Sequence, residues 1–89
     1  MKCVMFYEAA PDGLAKAPAN FPQHKARIDQ FVARGVLLMV GPWTNPAEGA
    51  LAIFTTREAA EEFAADDPFV LNGVVGRVTF KDWNEIVQG

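Results

Sequence analysis

The chain has 89 residues, of which 51% are hydrophobic, with a formal net charge of −3, one cysteine and one histidine. That is enough for one small domain, residues 1–89, with a thin core. It excludes an internal disulfide and the usual multi-ligand zinc site. No run of Lys or Arg offers a nucleic-acid or acidic-membrane surface, and the apolar runs fall well short of a membrane span. The first residues, Met1 to Tyr7, are too short for a signal peptide, so the expected compartment is the cytoplasm. No dinucleotide, Walker A or Gly-x-Ser-x-Gly signature is present, and no cofactor is expected.

Residues 2–8 read as a strand in which Cys3, Val4, Met5, Phe6 and Tyr7 run together, the pattern of a strand covered on both faces. Residues 9–20, with two prolines and Asp12-Gly13, read as a long loop. A helix is predicted from Asn20 to Gly35, with Asn20 as N-cap, Gln23 as its capping-box partner, Pro22 in the first turn and Gly35 as the C′ residue. Phe21, Ile28, Phe31 and Val32 form its apolar stripe, and His24 lies on that stripe. Val36 to Val40 is a second continuous apolar strand. Gly41-Pro42 closes it, Trp43 to Gly49 forms a loop, and Ala50 to Phe54 is a third strand. Thr55 with Glu58 fits a capping box opening a second helix, whose inner stripe of Ala60, Phe63, Ala64 and Asp67 ends before Pro68. Residues 69–73 read as a turn, and Val74 to Trp83 as the last strand.

The order β-α-β-β-α-β predicts an α+β, ferredoxin-like fold: a four-stranded antiparallel sheet with two helices on one face. Two helices cover one face only, yet the first three strands are apolar on both. A large bare apolar face is rare on a monomer, so a homodimer packed sheet against sheet is expected.

His24 is the first candidate for chemistry. The bland reading is a partly buried helix residue with a satisfied ring. The functional one is a base or hydrogen-bond partner placed at the positive end of a helix dipole. Asp67 is the second. Asp before Pro commonly starts a turn, but a carboxylate on the inner stripe at the negative end of a helix needs compensation or use. In this topology the start of the first helix and the end of the second approach one edge of the sheet, where a His–Asp pair would fix the imidazole tautomer. Tyr7, near the end of the first strand, could present its hydroxyl to a pocket, and Trp43 could line a pocket or an interface. Cys3 reads as a small buried hydrophobe, and Arg77 and Lys81 as a solvated or dimer-contact face.

The chain resembles the YCII-related family of small dimeric α/β-barrel proteins. The resemblance rests on Pro22-x-His24, on Arg34-Gly35-Val36-Leu37-Leu38, on Gly41-Pro42, on Asp67-Pro68-Phe69 and on Gly73-Val74, in that order over nearly the whole chain. It implies a His–Asp centre at His24 and Asp67 and cofactor-independent chemistry, of lyase or dehalogenating type, on small and often aromatic molecules. Tyr7 and Trp43 are then the candidate substrate-binding residues. The alternative is a non-catalytic module that binds a small ligand in the same pocket. An RNA-recognition domain shares the element order, but it needs basic and aromatic residues on the open sheet face.

Overall fold

The computed structural model describes residues 1–89. Four strands, β1 (Lys2–Ala9), β2 (Leu37–Pro42), β3 (Ala50–Phe54) and β4 (Val75–Trp83), form one antiparallel sheet in the order β2-β3-β1-β4. Three helices join them: α1 (Gly13–Ala33) between β1 and β2, then α2 (Arg57–Ala65) and the single turn α3 (Pro68–Leu71) between β3 and β4. This is the ferredoxin-like arrangement, with β1 and β3 central. No helix is long and apolar enough to cross a membrane.

The period-2 geometry of the strands sorts their side chains. Cys3, Met5 and Tyr7 of β1, Ala52 and Phe54 of β3 and Leu37 of β2 are buried under the helices. Phe63 of α2 gathers the aromatic part of this core, lying 5.1 Å from Phe31 of α1 and 5.5 Å from Phe54, ring centre to ring centre. The other face of the sheet has no helix over it. It carries Val4, Phe6, Leu51 and Ile53, with Met39 at 66% exposure and Trp83 at 42%. The apolar reading of both faces of β1 and β3 therefore holds.

Strand β2 runs on through Gly41-Pro42, which the sequence reading placed after it, residues read as a turn form α3, and three helix ends near the site differ from that reading. First, α1 starts at Gly13, so residues 13–20 are helical and the helix is 21 residues long. Pro18 and Pro22 lie inside it, four residues apart and both exposed. Each proline removes one helical hydrogen bond, and the carbonyls that lose a partner, those of Leu14 and Pro18, lie along that solvent side. Asn20 is not an N-cap. Its Nδ2 donates to the Lys16 carbonyl at 2.9 Å, and its Oδ1 accepts from Asn72 at 2.7 Å. Second, α2 is capped by Thr56, whose hydroxyl accepts from the Ala59 N–H. Thr55, one residue earlier, is still tied to the sheet side, its N–H donating to the Val36 carbonyl at 2.9 Å. Third, α2 stops at Ala65, and Asp67 is the N-cap of α3 rather than the last residue of α2.

The C-terminal end of α1 is as read. Gly35 has φ +77°, its N–H donates to Val32, and the Val36 N–H donates to Phe31 at 3.2 Å, the paired bonds of a Schellman motif. At the other end of α1, Gly13 is required for contact. A Cβ there would stand 2.0 Å from the carbonyl oxygen of Val74, which already accepts from the Ala10 N–H. Gly13→Ala gains up to about 1 kcal/mol of helix propensity. The backbone shift it forces costs about 1–3 kcal/mol or more. Urea unfolding should therefore show net destabilisation; a variant as stable as the parent would mean that this close approach is absent.

Candidate active site

Asp67 is fully buried, and three elements supply donors to it. From α1, His24 Nδ1 lies 2.7 Å from Oδ1. From β1, the Tyr7 hydroxyl donates to Oδ2 at 2.6 Å. From the first turn of α3, the Phe69 N–H donates to Oδ1 at 3.1 Å. An ionised carboxylate only accepts, so the Nδ1 of His24 carries the proton, and in the neutral ring the lone pair sits on Nε2. His24 is 8% exposed. Its ring stacks on Phe69 with centres 3.7 Å apart and planes 4° from parallel, and meets Phe63 edge-on at 6.3 Å. These contacts fix the imidazole plane, and the Asp67 bond fixes its tautomer.

Nε2 makes no hydrogen bond within the chain, and no buried side-chain nitrogen or oxygen is left unpaired. That nitrogen is therefore not sealed off by the fold, and His24 is one of the residues lining a cavity. The cavity has a volume of about 310 Å³ and lies between α1 and the β2–β3 side of the sheet. Its wall is mostly apolar: Met5, Ile28 and Val40 with Phe21, Phe63 and Phe69, and small residues at Gly41, Ala50 and Ala52 that leave the space open. No three His, Cys, Asp or Glu side chains converge as a metal-binding group.

Arg27, one turn after His24, holds the frame. Its guanidinium donates to the Glu62 carbonyl at 2.7 Å and to the Phe63 carbonyl at 3.0 Å, satisfying the open end of α2. It also lies over the Phe31 ring at 4.8 Å. The end of α2, and so the start of α3 where Asp67 sits, is tied to α1 at this point.

The four residues singled out from the sequence thus separate. His24, Asp67 and Tyr7 come together, but not for the helix-end reasons first given. His24 is in the middle of α1, where the helix dipole does not reach it. Asp67 faces the N–H groups of α3 rather than the negative end of α2. The Tyr7 hydroxyl is turned to Asp67 rather than left free for a ligand. Trp43 is not in this cavity. It lies beside Phe6, Thr79 and Lys81, in a hollow on the open side of the sheet. Cys3 is fully buried in the core, where burial pushes its thiol up from its ordinary value. The sequence reading gave no role to Phe69, quoted there only within Asp67-Pro68-Phe69, nor to Arg27 or Lys25. The stripe Phe21, His24, Lys25, Ile28 at helical spacing carried the signal for the last.

The chain matches the YCII-related domain over residues 1–84. An uncharacterized protein of Haemophilus influenzae is 34% identical to it, over 97% of this chain and 99% of that protein. Among solved structures, the chain resembles 5-chloro-2-hydroxyhydroquinone dehydrochlorinase (TftG) from Burkholderia phenoliruptrix in complex with 2,5-dihydroxybenzoquinone, with a TM-score of 0.76 and 18% identity over 94% of each chain. A protein from Pseudomonas aeruginosa, PA3566, follows with a TM-score of 0.60 and 14% identity, over 97% of this chain and 93% of that one. At these identities the solved structures establish the shared fold.

Tyr7 gives the site a pH signature. Its phenol is held well above the ordinary value, first by burial, then by the charge of Asp67 and the hydrogen bond to it, with Arg27 opposing. The unfolded chain releases this proton near pH ~10. Above that pH the unfolded state binds fewer protons than the folded one, so the stability contributed by the neutral buried phenol is intact below pH ~10 and falls as pH rises. Tyr7 is the only tyrosine. In an alkaline titration, phenolate absorbance should therefore appear together with loss of the near-ultraviolet circular dichroism of the fold. A phenolate band with its midpoint near pH ~10 in the folded protein would disprove the Tyr7–Asp67 bond.

Proposed function

The chain belongs to the YCII-related family, and from that premise we propose that it is an acid–base enzyme acting on a small organic molecule without a cofactor, in a reaction of the lyase or dehalogenating type. One observation carries this reading: the imidazole of His24 lines an apolar cavity with one nitrogen bound to a fully buried carboxylate and the other without a partner in the chain. That is the arrangement of a base whose tautomer and charged form are both supported by its partner. His24 Nε2 takes a proton from the substrate, Asp67 stabilises the imidazolium, and Tyr7 holds the second carboxylate oxygen so that Asp67 cannot rotate away. In an elimination, the electron pair of the broken C–H bond forms the new π bond, the leaving group departs as an anion, and His24 returns its proton to solvent. The dehydrochlorinase with the same fold supports this direction of chemistry. A cavity of about 310 Å³ walled by aromatic rings suits a small planar body.

The test is turnover on a panel of small cyclic and halogenated hydroxyaromatic compounds, 5-chloro-2-hydroxyhydroquinone among them. For any substrate turned over, His24→Ala should lower kcat/KM by about 10²–10⁴. His24→Gln, which keeps a donor to Asp67, should be as inactive while remaining folded. Undiminished turnover in both variants would refute the assignment. Saturable binding with no turnover of any compound would favour a ligand-binding module.

The same reading includes a homodimer joined through the open sheet faces. Its support is the helix-free face of Val4, Phe6, Leu51, Ile53, Met39 and Trp83, an apolar area of a kind that monomers rarely expose. Light scattering coupled to gel filtration should give twice the chain mass at micromolar concentration. Val4→Asp, at the middle of that face opposite Ile53, should give a single chain mass. A parent protein of single chain mass would show that the face is not an interface.

A further inference from the structure

One charged side chain lines the His24 cavity, and the proton-transfer scheme leaves it without a task. The cavity side of α1 is a stripe of Phe21, His24, Lys25 and Ile28, spaced at three, four and seven residues from its start. Of the 14 residues lining the cavity, only Lys25 carries a fixed charge. Its amine rests on Asp29, one turn further along the helix, at 2.6 Å. Both side chains of that pair are more than half exposed, 53% and 62%. An ion pair so open to water holds its partners weakly. The flexible four-carbon stem lets the amine leave Asp29 and turn toward the cavity without moving the helix.

From this we propose that Lys25 is a specificity-determining residue: the cavity takes a small cyclic molecule that carries an anionic oxygen group, a carboxylate or an acidic phenol, and Lys25 binds that group at the mouth. The proposal rests on the acid–base reading for what happens at His24, but the binding it describes stands apart from turnover. Three features select for it. The apolar wall accepts the body of the ligand and offers no other cation to its charge. Lys25 and His24 line the same cavity, so a ligand whose anion is held by the amine shares that space with the imidazole. The chain as a whole is acidic, with a net charge of −3. An anionic ligand is therefore held by this one group rather than by a general positive field.

Benzoate and benzamide share a shape and differ in charge, so their ratio isolates the amine. Nuclear magnetic resonance titrations of the full chain at one fixed pH should place both probes in the cavity, with benzoate bound about tenfold tighter. Lys25→Met should remove most of that preference and leave benzamide unchanged. Lys25→Arg should keep it, and Asp29→Asn should strengthen benzoate binding by about twofold, since it frees the amine. The same comparison in His24→Ala separates the two readings. A benzoate preference that persists there and still depends on Lys25 supports the anion site even if no substrate is ever turned over. An unchanged ratio in Lys25→Met, equal weakening of both probes, or no benzoate binding in the cavity would overturn the proposal.

Discussion

The buried carboxylate of Asp67 is the interaction on which the architecture of the site depends. Taking such a group out of water costs several kcal/mol unless it is paired and hydrogen-bonded. Here the pairing comes from three separate pieces of chain, β1 through Tyr7, α1 through His24 and α3 through the Phe69 N–H. The carboxylate can be buried only when all three are in place. It therefore acts as a check on the tertiary structure as well as a feature of the cavity. Because both oxygens are engaged, the plane of the carboxylate is set, and with it the direction of the bond to Nδ1.

The surrounding core serves that geometry. Phe63 touches Phe31, Phe54 and His24 through edge or tilted ring contacts, so the helices cannot slide on the sheet without losing aromatic packing. Arg27 closes the end of α2 with two bonds to backbone carbonyls. Phe69 lies flat on the imidazole and is carried by the same short turn that Asp67 caps. One side of the ring is thus packed, one nitrogen is bound, and the remaining nitrogen has no partner in the chain, on a side chain that lines the same cavity as Gly41, Ala50 and Ala52. The asymmetry between the two ring nitrogens gives the site its chemical character.

The structure also separates two faces with different tasks. The helix side of the sheet encloses the core and the cavity, while the open side displays Val4, Phe6, Ile53 and Trp83 and the hollow beside Trp43. Alternation along β1 assigns consecutive residues to these tasks: Tyr7 reaches Asp67 on one side, and Phe6 lies on the other. A continuous apolar run such as Cys3 to Tyr7 reflects that double demand.

The sequence by itself determined the element order, the two-sided character of the strands, the Gly35 stop and the residue types that form the site. Each of these is written in local pattern: hydrophobic period, a residue able to take positive φ, and a lone histidine on an inward stripe. Local pattern failed where a distant partner held the same residue. Asn20 looked like a cap but is held by the Lys16 carbonyl and by Asn72. Thr55 looked like the start of α2, but it is still tied to the sheet side, its N–H donating to Val36. Pro18 looked like part of a loop because its cost to a helix is visible in sequence, whereas the exposed side of α1 on which it is tolerated is not. That His24 and Asp67 meet, 43 residues apart, and that Tyr7 joins them from 60 residues away, was decided only by the packing of α1 against α3 and of the helices onto the sheet. Long-range pairing of this kind leaves no periodic trace in a single chain, since it depends on how elements are stacked rather than on what any one of them is made of.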